Sequence, residues 1–128
     1  RDVERSRGLG DVYKRQVHDG VRIDGVMVGR AAYQTPWMLS EVDSVLYGES
    51  CRTLTREAVI AAVEAEVEQY YAADEHVTRA FARHLNGLCQ GLSGARVWRR
   101  TLADPKIIKA EGPNLSRRAW REAFGTDF

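Results

Sequence analysis

The chain has 128 residues, a formal net charge of +1, 44% apolar residues and two cysteines, enough for one modest domain. No apolar run is long enough to span a membrane and no signal-peptide pattern appears, which points to a soluble cytoplasmic protein. Cys51 and Cys89 lie far apart, with neither CxxC spacing nor a histidine cluster, so no metal site is expected and free thiols are favoured over a disulfide.

Residues 1–16 read poorly as protein. Ser6–Gln16 back-translates, in one frame and without a gap, to the adapter used in transposon-based short-read library preparation. Residues 1–16 are therefore read as a non-native, adapter-derived segment and set aside from fold reasoning. The charge of the rest is asymmetric. Residues 17–75 carry four basic and 11 acidic side chains, net −7; residues 76–128 carry ten basic and four acidic, net +6. A basic C-terminal half suits a phosphate-rich partner.

Asp24–Arg30 reads as a short buried strand. Its apolar run Val26-Met27-Val28 is continuous rather than alternating, as in a parallel strand covered on both faces. Such a strand needs neighbours for its N–H and C=O groups, and no second strand is legible. Thr35 and Pro36 then mark the N-cap and first turn of a short helix to about Leu46, before a loop over residues 48–53.

Thr55 can cap a long helix from Arg56 to about Ala72. Val59, Val63, Val67 and Tyr70 give it an apolar stripe, and Glu57, Glu64, Glu66 and Glu68 make its other sides acidic. A further helix is expected over about Glu75–Gln90, with Val77, Phe81, His84, Leu85 and Leu88 as its buried stripe. Gly91–Gly94 reads as a turn, Ala95–Ala103 as a helix, Asp104-Pro105 as the start of a connection, and Leu115–Phe124 as a last helix capped by Asn114.

Two constellations could carry chemistry. Gly29 ends the strand with no side chain to block a ligand, and Arg30 adds a planar cationic fork suited to phosphate. In a parallel barrel, the ends of the last strands commonly hold a phosphate. As a sequence pattern, Gly-Arg equally describes a turn glycine beside a surface arginine. The second constellation lies on the helices. Arg96, Arg99 and Arg100 stand at i, i+3 and i+4 on one face, and Arg79 and Arg83 are four apart on the preceding helix. Clustered arginines suit folded RNA, although a solvated cationic face is the common outcome for such helices. Trp98 lies on another side and is expected in the core. His18 and His76 have no partners at catalytic spacing, and neither cysteine has a paired base.

Asp24–Pro36 resembles the last barrel strand of tRNA-dihydrouridine synthases, including the A-subfamily Gly-Arg-x-Ala-Tyr-Gln-x-Pro continuation. Arg83-His84 through Gln90-Gly91, followed by Gly94-Ala95-Arg96-x-Trp98-Arg99-Arg100, resembles that subfamily's helical-domain signature; Leu85-Asn86 and Cys89 depart from it. The resemblance implies an α/β parent: residues 17–48 would be the last strand and helix of a TIM (β/α)8 barrel, and residues 49–128 an all-α tRNA-binding bundle. It implies an FMN enzyme that reduces tRNA uridines with NADPH, with Gly29 and Arg30 on the flavin phosphate and Arg96 and Arg99 on tRNA. The cysteine acid of that family belongs to an earlier barrel loop. No catalytic residue is therefore assigned here, and the chain alone is expected to be an inactive C-terminal fragment. Another FMN-dependent barrel oxidoreductase and a stand-alone helical RNA-binding module are the alternatives.

Overall fold

The computed structural model describes residues 27–48, 54–71, 76–126 and 128. The segment read as adapter, residues 24–26 of the expected strand, and Cys51 lie outside the described residues. The chain divides into two units, Arg1–Thr53 and Leu54–Phe128.

In the first unit, Met27–Gly29 belongs to no regular element, and Arg30 already begins a short helix, α1 (Arg30–Gln34). The strand expected over Asp24–Arg30 is thus not seen in its described part. A parallel strand exists only against neighbours that accept and donate its backbone hydrogen bonds, and no strand occurs among the described residues. Pro36–Glu41 forms a 3-10 helix that continues as α2 (Val42–Tyr47), and Gly48 ends it at φ +67, the left-handed conformation that favours glycine. Thr35 does not cap with its side chain; its backbone carbonyl accepts from Met38 N at 3.1 Å instead.

The regular elements of the second unit are all helices among its described residues. α3 (Arg56–Tyr71) starts at Thr55, whose Oγ1 accepts from Ala58 N at 3.2 Å, as its sequence predicts. Its buried row is Ile60, Glu64 and Val67; of the expected stripe Val67 is buried, Val59 and Val63 are half-buried one residue before Ile60 and Glu64, and Tyr70 is exposed. Glu64 sits in that row because Arg117 answers it: Nη2 donates to Oε2 at 2.7 Å and Nε reaches Oε1 and Oε2 at 3.2 and 3.1 Å. An acidic side chain is tolerated in a buried row where a fork of this kind answers it.

α4 (Val77–Leu85) is shorter than expected. After it the chain turns through residues 86–94 by successive short bonds: Leu88 N to Leu85 O, Gln90 N to Gly87 O, and Leu92 N to Cys89 O. Side chains take two of the carbonyls released there. Trp98 Nε1 donates to Leu85 O and Arg56 Nε to Leu88 O, both at 2.9 Å. The buried face of α4 is Thr78, Ala82 and Leu85, so His84, expected in the core, is exposed.

α5 (Ala95–Ala103) and α7 (Leu115–Phe124) have the boundaries read from the sequence and form the most extensive helix pair. Between them comes α6 (Pro105–Glu111), a helix where the sequence suggested only a connection. Asp104 caps it, accepting from Lys106 N at 2.9 Å and Ile107 N at 3.4 Å, and Pro105 occupies its first position. Asn114 makes no side-chain cap, because the 3-10 turn Gly112–Asn114 runs directly into α7. The core is built on Trp98 and Trp120, whose rings meet edge to face at 6.3 Å, with Ile60, Leu88, Cys89 and Leu102 around them.

Candidate nucleic-acid interface

The buried and exposed faces of α5 are sharply separated. Trp98, Thr101 and Leu102 point inward, whereas Arg96, Arg99, Arg100 and Ala103 form the exposed face. At 100° per residue the latter four fall within one narrow sector, so the arginines form a row rather than a ring. Trp98 fixes the helix's rotation by its complete burial and its bond to Leu85 O. Gly94 fixes its height. A Cβ there would lie 2.6 Å from Ala123 O and 2.7 Å from Phe124 Cε1, so only glycine lets the start of α5 lie this close to the end of α7. The Gly94-x-Arg96-x-Trp98 spacing is therefore an anchor, a contact and a presented cation in one turn and a half.

Arg99 is also held from the side: its Nη1 donates to Gln90 Oε1 at 3.1 Å. Gln90 did not stand out in the sequence as a site residue, since an amide in a turn carries no signal until its partner is known. Among the described residues, Arg79, Arg96 and Arg100 have no carboxylate within ion-pair distance. Lys106 and Lys109 of α6 are exposed as well, on a helix that the sequence reads only as a connection.

Arg79 and Arg83 are exposed on α4 and border a cleft of about 180 Å³ that α5 and α6 complete with Leu102, Ala103 and Ile108. Ala103, on the same exposed face of α5 as Arg96, Arg99 and Arg100, lines that cleft, whereas those three arginines do not. The candidate phosphate residues lie in the first unit. Gly29 precedes α1, and Arg30 is its exposed first residue. Gly29 presents only backbone, and a Cβ added there would meet nothing closer than Met27 Sδ at 3.5 Å. An exposed guanidinium beside a residue with no side chain fits a phosphate monoester by the chemistry of its donors.

Cys89 is buried, and burial pushes its thiol up to about 11; nearby Arg56 opposes the shift and Glu57 adds to it. A thiol so held is no acid or nucleophile near neutral pH. Among the described residues there is no group of three or more side chains able to hold a metal, and no helix is long and apolar enough to cross a membrane.

The family profile described as Dihydrouridine synthase (Dus) matches residues 10–124. The tRNA-dihydrouridine(20/20a) synthase of Shewanella oneidensis is 48% identical over 117 residues, covering 89% of this chain and 33% of the relative. The enzyme of the same name from Synechocystis is 32% identical over 117 residues, covering 91% and 34%. That of Escherichia coli K12 is 40% identical over 82 residues, covering 64% and 24%. The chain spans about a third of the length of the first two. No solved structure matches it.

Proposed function

The chain belongs to the dihydrouridine synthase family, and from that premise we propose that it is the C-terminal portion of a cytoplasmic, A-subfamily tRNA-dihydrouridine synthase. Its substrate would be the uridines at positions 20 and 20a of tRNA, as in the names of its relatives. Residues 17–48 would complete a TIM barrel, and 49–128 would be the tRNA-binding domain. When bound, FMN reduced by NADPH supplies the hydride that saturates the uracil ring. Gly29 and Arg30 would hold its phosphate. Arg96 and Arg99 would hold the tRNA backbone so that a uridine swung out of the folded RNA arrives in register.

The observation that carries this reading is the row Arg96, Arg99 and Arg100 on the open face of a helix whose other face is locked by Trp98. Long side chains on a rigid helix can neutralise successive phosphates, and each neutralised phosphate steepens the salt dependence by roughly one counterion. Positioning by such contacts turns a loose encounter into an oriented one.

In the full-length protein, Arg96→Ala and Arg99→Ala should each weaken tRNA binding in a filter or gel-shift assay and flatten its dependence on salt, with flavin absorbance unchanged. Arg30→Ala should lower flavin content with tRNA affinity kept. Unchanged tRNA affinity in both helix variants would refute the RNA assignment, and full flavin retention in Arg30→Ala would refute the phosphate assignment. For residues 1–16, an independent genomic read lacking the adapter codons upstream of Val17 supports their exclusion, and finding those codons there overturns it.

A further inference from the structure

The cleft bordered by Arg79 and Arg83 differs in character from the arginine row of α5. The row is convex and wholly cationic. The cleft is concave, and its lining is mixed: Arg79, Ala82 and Arg83 on α4, Asn86 just past that helix, and the apolar residues Leu102, Ala103 and Ile108. Its volume of about 180 Å³ is too small for the roughly 300–1,000 Å³ of a typical small-molecule or cofactor site. A bare phosphate would need the arginines but no apolar wall. A single planar ring with an attached phosphate uses every part.

The location adds a second argument. Ala103 belongs to both features: it lines the cleft, and it lies four residues after Arg99 and three after Arg100 on the same exposed face of α5. A strand whose phosphates follow the arginine row therefore arrives at the cleft mouth. Two observations keep the cleft open to a ligand. Arg79 is exposed with no carboxylate in ion-pair distance among the described residues. Ala103 has no side chain beyond Cβ to fill the space.

We propose that this cleft seats one unstacked nucleotide of the bound RNA, its ring against Leu102, Ala103 and Ile108, its edge on the Asn86 amide, and its phosphate between Arg79 and Arg83. An amide offers a donor and an acceptor side by side, which suits a base edge. Guanidinium planes serve both phosphate and ring. Every residue lining the seat belongs to the helical unit, whereas Gly29 and Arg30 belong to the other, and the proposed occupant is a nucleotide other than the uridine being reduced. It acts as a second grip, reading an unpaired position of the RNA while the α5 row reads backbone charge. This inference rests on the proposal that the helical unit binds tRNA.

The test uses the full-length protein and three RNAs: a tRNA transcript, single-stranded hexauridine, and a blunt RNA duplex of matched phosphate number. Ala103→Trp fills the cleft from an exposed position and so spares the core. It should cut affinity for tRNA and hexauridine by about tenfold, the scale of one lost stacked or edge-read base, while duplex affinity changes less than about twofold. Asn86→Ala should act in the same direction with a smaller factor. Arg96→Ala should instead weaken all three RNAs together. Equal losses on duplex and single strand in Ala103→Trp, or no loss on either, would overturn the seat while leaving the arginine row intact. Wild-type protein that binds none of the three would overturn the tRNA reading itself. Unchanged circular dichroism and melting temperature in Ala103→Trp tie any loss to the cleft.

Discussion

Between Met27 and Gly48 the three helical segments bury no residue, whereas α3, α4, α5 and α7 each bury at least three. The sequence is apolar in both places. Met27 is 89% exposed and Tyr47 72%, while Trp98 and Ile60 are at 0%. The difference lies in partners. α5 has α7 across Gly94, and α3 has α4 and α7; among the described residues of the first unit, α1 and α2 each pair with the 3-10 helix between them. Apolar residues make a core only where a second apolar face is within reach. The helical unit supplies both faces from its described residues, and no residue of 27–48 is buried.

Breaking the core that distinguishes the second unit should have the largest effect. Trp98→Ala removes a fully buried indole together with its N–H bond to Leu85 O, and should destabilise the helical unit by about 3–5 kcal/mol in urea denaturation. A loss below about 1 kcal/mol would show that this core is no tighter than the first unit. Gly94→Val comes next. Its Cβ would need space held by Ala123 O and Phe124, so the α5–α7 approach should loosen at a cost of roughly 1–3 kcal/mol, read as a lower melting temperature.

A smaller effect sharpens the comparison by pH. The Cys89 thiol is raised from its ordinary 9.0 to about 11, so folding favours its neutral form. That contribution is complete below about pH 9 and is lost as pH rises toward 11. The denaturation midpoint should fall across that window in the parent more than in Cys89→Ala. Alkylation by iodoacetamide near pH 8 should require unfolding. Smallest of all, Tyr47→Ser should shift stability by less than about 0.5 kcal/mol, since its ring is mostly in solvent. A larger loss would mean that the first unit holds a core of its own.

What was legible in the sequence follows the same division. α5 and α7 were bounded correctly because Gly94 and Gly125 punctuate them and their apolar spacing is regular. The Thr55 cap and the burial of Trp98 were also legible, being decided within a few residues. The failures came where a distant residue decides. Glu64 looked like a solvent carboxylate until Arg117, fifty-three residues on, was seen to hold it. His84 falls on a stripe with four apolar residues, Val77, Phe81, Leu85 and Leu88, but the helix buries the small residues Thr78 and Ala82 beside Leu85 instead. The strand over Asp24–Arg30 was read from composition, and its described part, Met27–Gly29, leaves the chain without regular structure. For the candidate interface, the cations Arg96, Arg99 and Arg100 were visible in the sequence. The cleft was not, since it needs three helices, one of them α6, whose cap at Asp104 was mistaken for a break.

The indole that anchors α5 has a consequence for genetics. Trp98 and the arginines share one turn of one helix, so damage to the anchor also displaces the cations. If the row binds RNA as proposed, alleles that weaken the anchor should lose RNA binding at raised temperature and regain it on cooling. Alleles of Arg96 or Arg99 should score the same at every temperature. A screen run at one temperature would pool the two kinds, and a shift of a few degrees would sort them.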